Sequence, residues 1–252
     1  MTKEEIRRYL EFYQDLGVKT VFVRAAAVGE VPPAELIQTE PEPEPRREPE
    51  SAPVKLPALE PAGDSLLKIL EDIGDCKRCR LHQGRNKLVF GTGNEQAQLV
   101  FVGEGPGADE DAQGLPFVGR AGQLLTQMIE GTSRKEGIPL ERSDVYICNV
   151  VKCRPPENRT PQPDEMEVCG QFLYRQLQAI RPKAICALGS TAAKALLGTK
   201  EGVTRLRGKW QQWRDIPVMV TYHPSYLLRP YNQNAKKEAW EDLKKVLHYV
   251  YD

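Results

Sequence analysis

From Asp64 onward, short apolar runs alternate with amphipathic segments, and this alternation limits the folds open to the chain more than any other sequence feature. Four runs have the length and composition of strands: LVFV (99–102), VYICNVV (145–151), AICAL (184–188) and VMVT (218–221). Apolar strands separated by amphipathic helices are typical of parallel sheets, because each crossover helix packs on a face of the sheet. The pattern therefore predicts an α/β fold.

Apolar residues at helical spacing fill the gaps between the predicted strands. The first helix is expected in DSLLKILEDI, with Asp64 or Ser65 as its N-cap, and a later one in STAAKALL, capped by Ser190. The other predicted helices are AGQLLTQMIE (121–130), the segment from Pro163 to Ile180, and a last helix from about Ala235 to Tyr251.

Binding sites in parallel sheets form at the carboxyl ends of the strands. Three features fall there: the loop GEGPG after residue 102, Asn149 at the end of the second strand, and His223 just after the last. A glycine-rich loop between strand and helix often binds phosphate, but no Lys-Ser/Thr pair follows this one. Glu104 and Pro106 also stand where an anion would need free N–H donors, so we expect a different ligand.

The first 62 residues differ in composition from the rest. Residues 31–62 contain 9 of the 20 prolines and 7 glutamates, which predicts a disordered, flexible linker. Residues 1–30 form a small N-terminal segment, in which EEIRRYLEFYQDL has helical spacing. That segment is either a helix that docks a protein partner or an unessential tail. Residues 63–252 are expected to form the functional domain.

Charge and hydropathy narrow the class of protein. The net charge is zero, but residues 63–252 contain 27 basic and 23 acidic side chains, which is compatible with a polyanionic partner. No apolar run approaches the ~18 residues that span a bilayer. The N-terminus also lacks the apolar stretch of a signal peptide. We therefore expect a soluble, cytoplasmic protein that does not associate with membranes.

The six cysteines fall into two groups. Cys148 and Cys186 lie inside apolar runs, where a small buried thiol is the expected occupant. The other four indicate a metal or cluster site, because cytoplasmic proteins rarely form disulfides: Cys76, Cys79, Cys153 and Cys169. Their spacing alone fits tetrahedral zinc or an iron–sulfur cluster equally well. A thioredoxin-like role for CKRC is disfavoured, because no suitable strand leads into it.

Six motifs, in the same order, resemble one family: the iron–sulfur uracil-DNA glycosylases of bacteria and archaea called family 4. They are CKRC, VGEGPGADEDAQGLPFVGRAG, VYICNVVKCRPPENRTPQPDE, ALGSTAA, RGKW and YHPSYLLR. The resemblance covers residues from about 65 to 250. It implies a three-layer αβα sandwich with a central four-stranded parallel sheet, and hydrolysis of the N-glycosidic bond of deoxyuridine in DNA.

The resemblance also implies one four-iron four-sulfur cluster on Cys76, Cys79, Cys153 and Cys169. Such a cluster takes four thiolates, and since hydrolysis transfers no electrons, its role would be structural. Cys148 departs from the family, whose members commonly carry another small residue there. Its spacing to Cys153 does not match the ligand pattern.

For the pocket, the resemblance implies a bound base in place of a phosphate. Gly105 and Pro106 would line it, because glycine lets the backbone approach a flat ligand closely. Phe117 would stack on the extruded uracil, and the Asn149 carboxamide would pair with N3–H and O4 while mismatching cytosine. Without the resemblance, a core role would be the better explanation of Phe117. A turn role for Asn149 is disfavoured, because Asn149 lies inside the apolar run ICNVV.

The predicted catalytic residues are His223, Asn149 and Glu104. The resemblance implies that His223 donates a hydrogen bond to uracil O2 as negative charge builds on the leaving base, although a structural histidine is the commoner case. Either Glu104 or Glu110 could stabilise an oxocarbenium-like sugar, since Gly105 stands where better-known uracil glycosylases place an aspartate. Glu110 could instead exclude the thymine methyl group. The residue that activates the water is left open.

The resemblance also implies a DNA wedge in the motif HPSYLLR. Leu227, Leu228 and Arg229 would enter the duplex and fill the space that the extruded base leaves, although the two leucines could equally be core residues. Two further acidic residues, Asp109 and Asp111, are expected on a solvated loop face.

The sequence therefore predicts a monomeric, monofunctional glycosylase that acts on uracil-containing DNA, single- or double-stranded. Two other classes remain as alternatives. A nucleotide-binding protein is disfavoured by the missing Lys-Ser/Thr pair, and an iron–sulfur electron-transfer protein would leave the pocket residues without a role.

Deletion of residues 1–62 is expected to leave folding and uracil release nearly unchanged, because the linker (31–62) is too rich in proline and glutamate to pack against the domain. Thermal melting and uracil excision, measured on the fragment 63–252 and on the full chain, check this boundary. An insoluble or inactive fragment would place the boundary elsewhere.

Overall fold

The structure is a computed structural model that describes residues 63–229 and 232–252. The predicted N-terminal segment (1–30) and linker (31–62) lie outside the described residues. Within the described ranges, the helices are too short or too polar to cross a membrane.

One mixed sheet forms the centre of the fold. Its strands are β1 (Thr92–Gly93), β2 (Leu99–Gly103), β3 (Tyr146–Asn149), β4 (Ala184–Leu188), β5 (Trp210–Trp213) and β6 (Ile216–Thr221), in the order β1-β3-β2-β4-β6-β5. The four inner strands are parallel, as the sequence predicts. The antiparallel edge strands β1 and β5 were not predicted from the sequence. The strand β1 has only two residues, and β5 is the run WQQW, so neither shows the apolar pattern of a buried strand.

Helices connect the strands. In chain order they are α1 (Leu66–Ile73), α2 (Ala108–Gln113), α3 (Arg120–Glu136), α4 (Pro163–Ile180), α5 (Ser190–Leu197), α6 (Val203–Leu206), α7 (Pro224–Leu227) and α8 (Gln233–Tyr251). Ser65 caps α1 as predicted, since its Oγ accepts a hydrogen bond from the Lys68 N–H at 3.3 Å. The helix predicted in STAAKALL is present as α5, but its predicted cap was wrong: Gly189 is the N-cap, and Ser190 is the first helical residue.

Each parallel strand contributes to two cores, because successive side chains point to opposite faces of the sheet. In β2, Val100 and Val102 pack with α1, α4 and α5, whereas Leu99 and Phe101 pack with α3 and α8. The same alternation runs through β4 and β6. The result is the predicted three-layer αβα sandwich.

An ion-pair cluster around the buried Arg175 guanidinium joins α1 to α4. The Arg175 guanidinium on α4 donates to Asp64 Oδ2 at 2.6 Å and also to Asp72 Oδ2, and only 5% of its side chain is exposed. Removal of one partner from a buried pair leaves an uncompensated charge, so this contact fixes α1 in its place. The CKRC segment follows α1 directly and is positioned with it.

The prediction for Asp111 was wrong. Its side chain is fully buried, and its two oxygens accept hydrogen bonds from the backbone N–H and the side-chain amide of Asn86 at 3.0 and 2.6 Å. Asp109 is exposed, as predicted. Because the partner of Asp111 is 25 residues away, local sequence pattern could not reveal the contact.

Candidate active site and cysteine cavity

The four parallel strands end at one edge of the sheet. Gly103 of β2 lies opposite Asn149 of β3, and Leu188 of β4 lies opposite Thr221 of β6. A pocket opens at this edge between the loops that follow the strands. It brings together all the predicted base-contacting residues: Glu104, Gly105, Pro106, Glu110, Phe117, Asn149 and His223.

The Asn149 side chain carries an unused hydrogen-bond acceptor. Only 2% of this residue is exposed, and Oδ1 has no hydrogen-bond partner among the described residues. A buried polar atom without a partner costs about 1–3 kcal/mol. Three other such atoms occur among the described residues, on Gln171, Trp240 and Tyr251, but only Asn149 lines the pocket. The placement favours a role in ligand recognition over that of a turn residue.

The side chains of Phe117 and Asn149 both lie against Gly103, at the position that a larger residue's side chain would occupy. A Cβ there would lie 2.4 Å from Asn149 Oδ1 and 2.5 Å from Phe117 Cζ. The Phe117 backbone itself is in the left-handed region, with φ of 54°, which costs energy in a residue other than glycine. Its ring centre lies 5.6 Å from that of His223. Strain concentrated beside a pocket is typical of functional sites.

The Glu110 carboxylate holds the glycine-rich loop from inside. Oε2 accepts the Gly107 N–H at 3.1 Å, while Oε1 accepts the N–H groups of Val118 and Gly119, both at 3.0 Å. These are the kind of backbone donors that a bound phosphate would need. Because this carboxylate already occupies them, the loop is not arranged as a phosphate site. Glu110 thus fixes the segment that carries Phe117.

The imidazole of His223 has a defined tautomer. Its Nδ1 accepts the backbone N–H of Ser225 at 3.2 Å, and the Ser225 hydroxyl lies 2.7 Å away. A backbone N–H can only donate, so the ring proton of a neutral His223 is on Nε2. Burial lowers the pKa of His223 to about 4, although the negative charge of Glu110 acts in the opposite direction. His223 is therefore a neutral donor at physiological pH.

This tautomer is directly testable. In ¹⁵N-labelled protein, the imidazole nitrogens of His223 should show the Nε2–H form at pH 7 and no protonation midpoint above about pH 5.5, because burial disfavours the charged ring. A pH series of long-range ¹H–¹⁵N spectra measures both. Assignment uses a His223→Gln variant as the blank. A midpoint near the ordinary value of about 6.5 would contradict the assignment.

The three predicted wedge residues differ in exposure. Leu227 is 1% exposed and packs with Ala235 and Ala239, so it is a core residue in this structure. Leu228 is 36% exposed and Arg229 is also exposed. The Arg229 guanidinium lies 5.7 Å from the ring centre of the exposed Tyr226. The wedge hypothesis is thereby narrowed to Leu228 and Arg229.

The four predicted metal-ligating cysteines line a single cavity: Cys76, Cys79, Cys153 and Cys169. Apolar side chains from α1 and α4 complete its walls, including Ile73 and Phe172. Among the described residues, no three histidine, cysteine or acidic side chains are grouped closely enough to hold a single metal ion. The cavity brings the four predicted ligands together on one side of α1 and α4.

Hydrogen-bond donors surround three of these sulfur atoms. Arg85 Nη1 donates to Cys153 Sγ at 3.2 Å, Arg78 Nη1 to Cys76 Sγ at 3.7 Å, and the Lys152 backbone N–H to Cys169 Sγ at 3.2 Å. Burial raises the pKa of Cys79 to about 11 and that of Cys169 to about 12, and the neighbouring cysteines add to both shifts. Burial thus disfavours the thiolate forms of Cys79 and Cys169, and a bound metal centre would supply the compensating positive charge.

Lys152 connects the cysteine cavity to the pocket. Its side chain is 1% exposed, lines the cavity, and donates from Nζ to the Asn149 carbonyl at 2.8 Å and to Gln176 Oε1 at 2.6 Å. Gln176 in turn donates to the Tyr146 hydroxyl at 3.2 Å. Burial lowers the pKa of Lys152. The strand end that carries Asn149 is therefore held from the side of the cysteines.

Sequence reasoning missed several pocket residues. Ser225 could have been found, because it stands two residues after His223 in the same motif and can bond its ring. Gly103 ends an apolar run, which hints at a close approach. Asn158 and Arg159 line the pocket from another loop, and Thr191 contacts Glu104 from α5. These contacts depend on tertiary structure and leave no local pattern.

The chain belongs to the uracil-DNA glycosylase superfamily, since residues 90–244 match the family model described as "Uracil DNA glycosylase superfamily". This region contains the sheet and every residue of the pocket.

Within this superfamily, the chain is similar to curated type-4 uracil-DNA glycosylases. The chain is 46% identical over 190 residues to the type-4 uracil-DNA glycosylase of Thermotoga maritima, an alignment that covers 74% of this chain and 96% of that protein. It is 46% identical to the type-4 enzyme of Sulfurisphaera tokodaii (73% and 84% covered) and 44% identical to that of Archaeoglobus fulgidus (73% and 92%). The resemblance drawn from six motifs is confirmed.

Proposed function

We propose that this protein is a uracil-DNA glycosylase that extrudes deoxyuridine from DNA, hydrolyses its N-glycosidic bond and leaves an abasic site. The observation that carries the proposal is the buried Asn149 carboxamide oxygen, which has no hydrogen-bond partner in the described part of the chain and lies in a pocket beside Phe117 and His223. The relatives that the chain resembles over most of its length are named for this activity. The protein is accordingly a DNA-repair hydrolase.

Recognition of the base follows from the donors and acceptors of the pocket. Asn149 offers a carbonyl acceptor to uracil N3–H and an amide donor to O4. Cytosine has an acceptor at N3 and a donor at N4, so both contacts become repulsive. Phe117 supplies an aromatic face for the extruded ring, and the backbone at Gly105 and Pro106 lies against its edge.

Bond cleavage leaves negative charge on the base and positive charge on the sugar. Neutral His223 stabilises the first by donating from Nε2 to uracil O2, a contact that strengthens as the bond breaks. Glu104, the pocket carboxylate that is not committed to backbone donors of the loop, stabilises the second. Glu110 acts by holding the loop in shape.

The DNA contact places Leu228 and Arg229 in the duplex next to the extruded nucleotide. Both residues follow His223 closely in sequence and are exposed. The substrate is uracil-containing DNA, single- or double-stranded. The enzyme works as a cytoplasmic monomer, and residues 1–30 are available to a protein partner.

Cys76, Cys79, Cys153 and Cys169 fit a four-iron four-sulfur cluster, because four thiols line one cavity and three of their sulfur atoms already accept hydrogen bonds. When bound, the cluster supplies cross-linking of loops and no electron transfer. Its ligand Cys153 stands four residues after Asn149, so the centre stabilises the segment that carries the recognition residue.

The two alternatives are not favoured. A nucleotide phosphate would compete with Glu110 for the donors of the loop. An electron carrier would give no role to the unpartnered acceptor of Asn149.

Asn149→Ala is expected to slow uracil excision by about a hundredfold to a few thousandfold. The variant leaves N3–H and O4 of the bound base unpaired in a dry pocket, which costs roughly 3–5 kcal/mol in the transition state. Duplex affinity should change little, because phosphate contacts supply most of it. Single-turnover excision from a uracil-containing oligonucleotide and binding to undamaged duplex measure the two effects.

Thermal melting of the same preparation is the control. If Asn149 were only a turn residue, the variant would melt early and still excise uracil at nearly the original rate. That outcome would remove Asn149 from the site.

Protein purified without oxygen is expected to be brown, with broad absorbance near ~400 nm and about four iron atoms per chain. Cys169→Ala should lose most of the iron, whereas Cys148→Ala, which alters a buried cysteine outside the cavity, should keep it. Metal analysis and visible spectra report the result. Colourless protein with stoichiometric zinc would contradict the cluster assignment.

A further inference from the structure

A buried hydroxyl contacts the pocket carboxylate from a helix that the sequence analysis did not connect with the site. Thr191 is 3% exposed, and its Oγ1 donates a hydrogen bond to Glu104 Oε2. The other oxygen, Glu104 Oε1, accepts no hydrogen bond within residues 63–229 and 232–252, although Glu104 lines the pocket. One oxygen is thus held by the protein and one is available to a ligand.

The topology explains why these residues meet. Strands β2 and β4 are parallel neighbours in register, with Val102 opposite Ala187. Glu104 is the first residue after β2, and Thr191 lies in the first turn of α5, three residues after the end of β4. Both segments leave the sheet at the same edge, so their side chains can reach each other above it.

Gly189 makes the start of α5 possible at this point. Its φ is 91°, and its N–H donates to the Thr221 carbonyl at 2.9 Å. A Cβ at Gly189 would lie 3.0 Å from the Cβ of His223. Because glycine permits this turn, α5 begins directly beside His223. The Thr191 hydroxyl is thereby placed within hydrogen-bond distance of the Glu104 carboxylate.

Fixing one oxygen has a consequence for catalysis. A free glutamate side chain samples several rotamers, and a charge that must reorient during the reaction stabilises the transition state less than one already in place. The buried hydroxyl of Thr191 removes this freedom before the substrate binds.

We propose that Thr191 is a positioning residue for Glu104: its hydroxyl holds one carboxylate oxygen so that the other is preset beside the sugar of the extruded deoxyuridine. The inference rests on the proposed function, because it assigns Glu104 to the developing sugar cation. Thr191 itself does not contact the substrate.

The test is a set of single-turnover excision rates on uracil-containing duplex. Thr191→Val keeps the shape and removes the hydroxyl, and it should lower the rate about ten- to hundredfold without changing affinity for undamaged duplex. Thr191→Ser restores the hydroxyl and should stay within about threefold of the original rate. Thr191→Ala, which lacks both the hydroxyl and the methyl, should match the valine variant.

Thr221→Val is the matched control, because Thr221 is also buried and donates to a carboxylate, Asp242 Oδ2, at 2.8 Å. It should melt at lower temperature while the folded protein keeps a rate within about threefold. In a Glu104→Ala background, Thr191→Val should cause no further loss, since the residue acts only through Glu104.

The inference is overturned if Thr191→Val excises uracil at the original rate, if Thr191→Ser is as slow as the valine variant, or if the losses from Thr191→Val and Glu104→Ala multiply. A different result, failure of the unaltered protein to release uracil, would instead overturn the proposed function.

Discussion

The site depends on a buried carboxamide oxygen that accepts no hydrogen bond from any residue the structure describes. Such an atom at Asn149 costs about 1–3 kcal/mol, and the fold holds it in place by several independent contacts. The β2–β3 register sets Asn149 opposite Gly103, whose missing side chain leaves room for both the carboxamide and the Phe117 ring. Lys152 holds the Asn149 carbonyl from behind. A preorganised acceptor of this kind is what recognition of a neutral base edge requires.

One short segment, residues 149–153, contributes to both the pocket and the cysteine cavity. Asn149, Lys152 and Cys153 lie within five residues, and Lys152 contacts both the Asn149 carbonyl and, through its backbone, Cys169. A centre bound to the cysteines would therefore restrain the strand end that carries Asn149. In the proposed enzyme, such a centre would have a structural role without redox chemistry.

Much of this could be predicted from the sequence, for reasons that particular residues show. The four parallel strands were predictable because buried strands are continuous apolar runs, and the convergence of GEGPG, Asn149 and His223 followed from the rule for strand ends. The structural environments of three residues could not be predicted from the sequence: Asp111, Leu227 and Ser190. The first is buried by Asn86, the second by α8, and the third is displaced as a cap by the positive φ of Gly189. Each depends on long-range packing or a backbone angle that local pattern does not encode.

The central claim is that the pocket selects uracil by its Watson–Crick edge and cleaves its glycosidic bond without an added cofactor. The most direct measurement is release of free base by purified protein from four oligonucleotides that differ only in one nucleotide: deoxyuridine, thymidine, deoxycytidine or deoxyadenosine. Our account predicts free uracil and an abasic site from the first alone. Release of cytosine at a comparable rate, or no release of uracil, would contradict it.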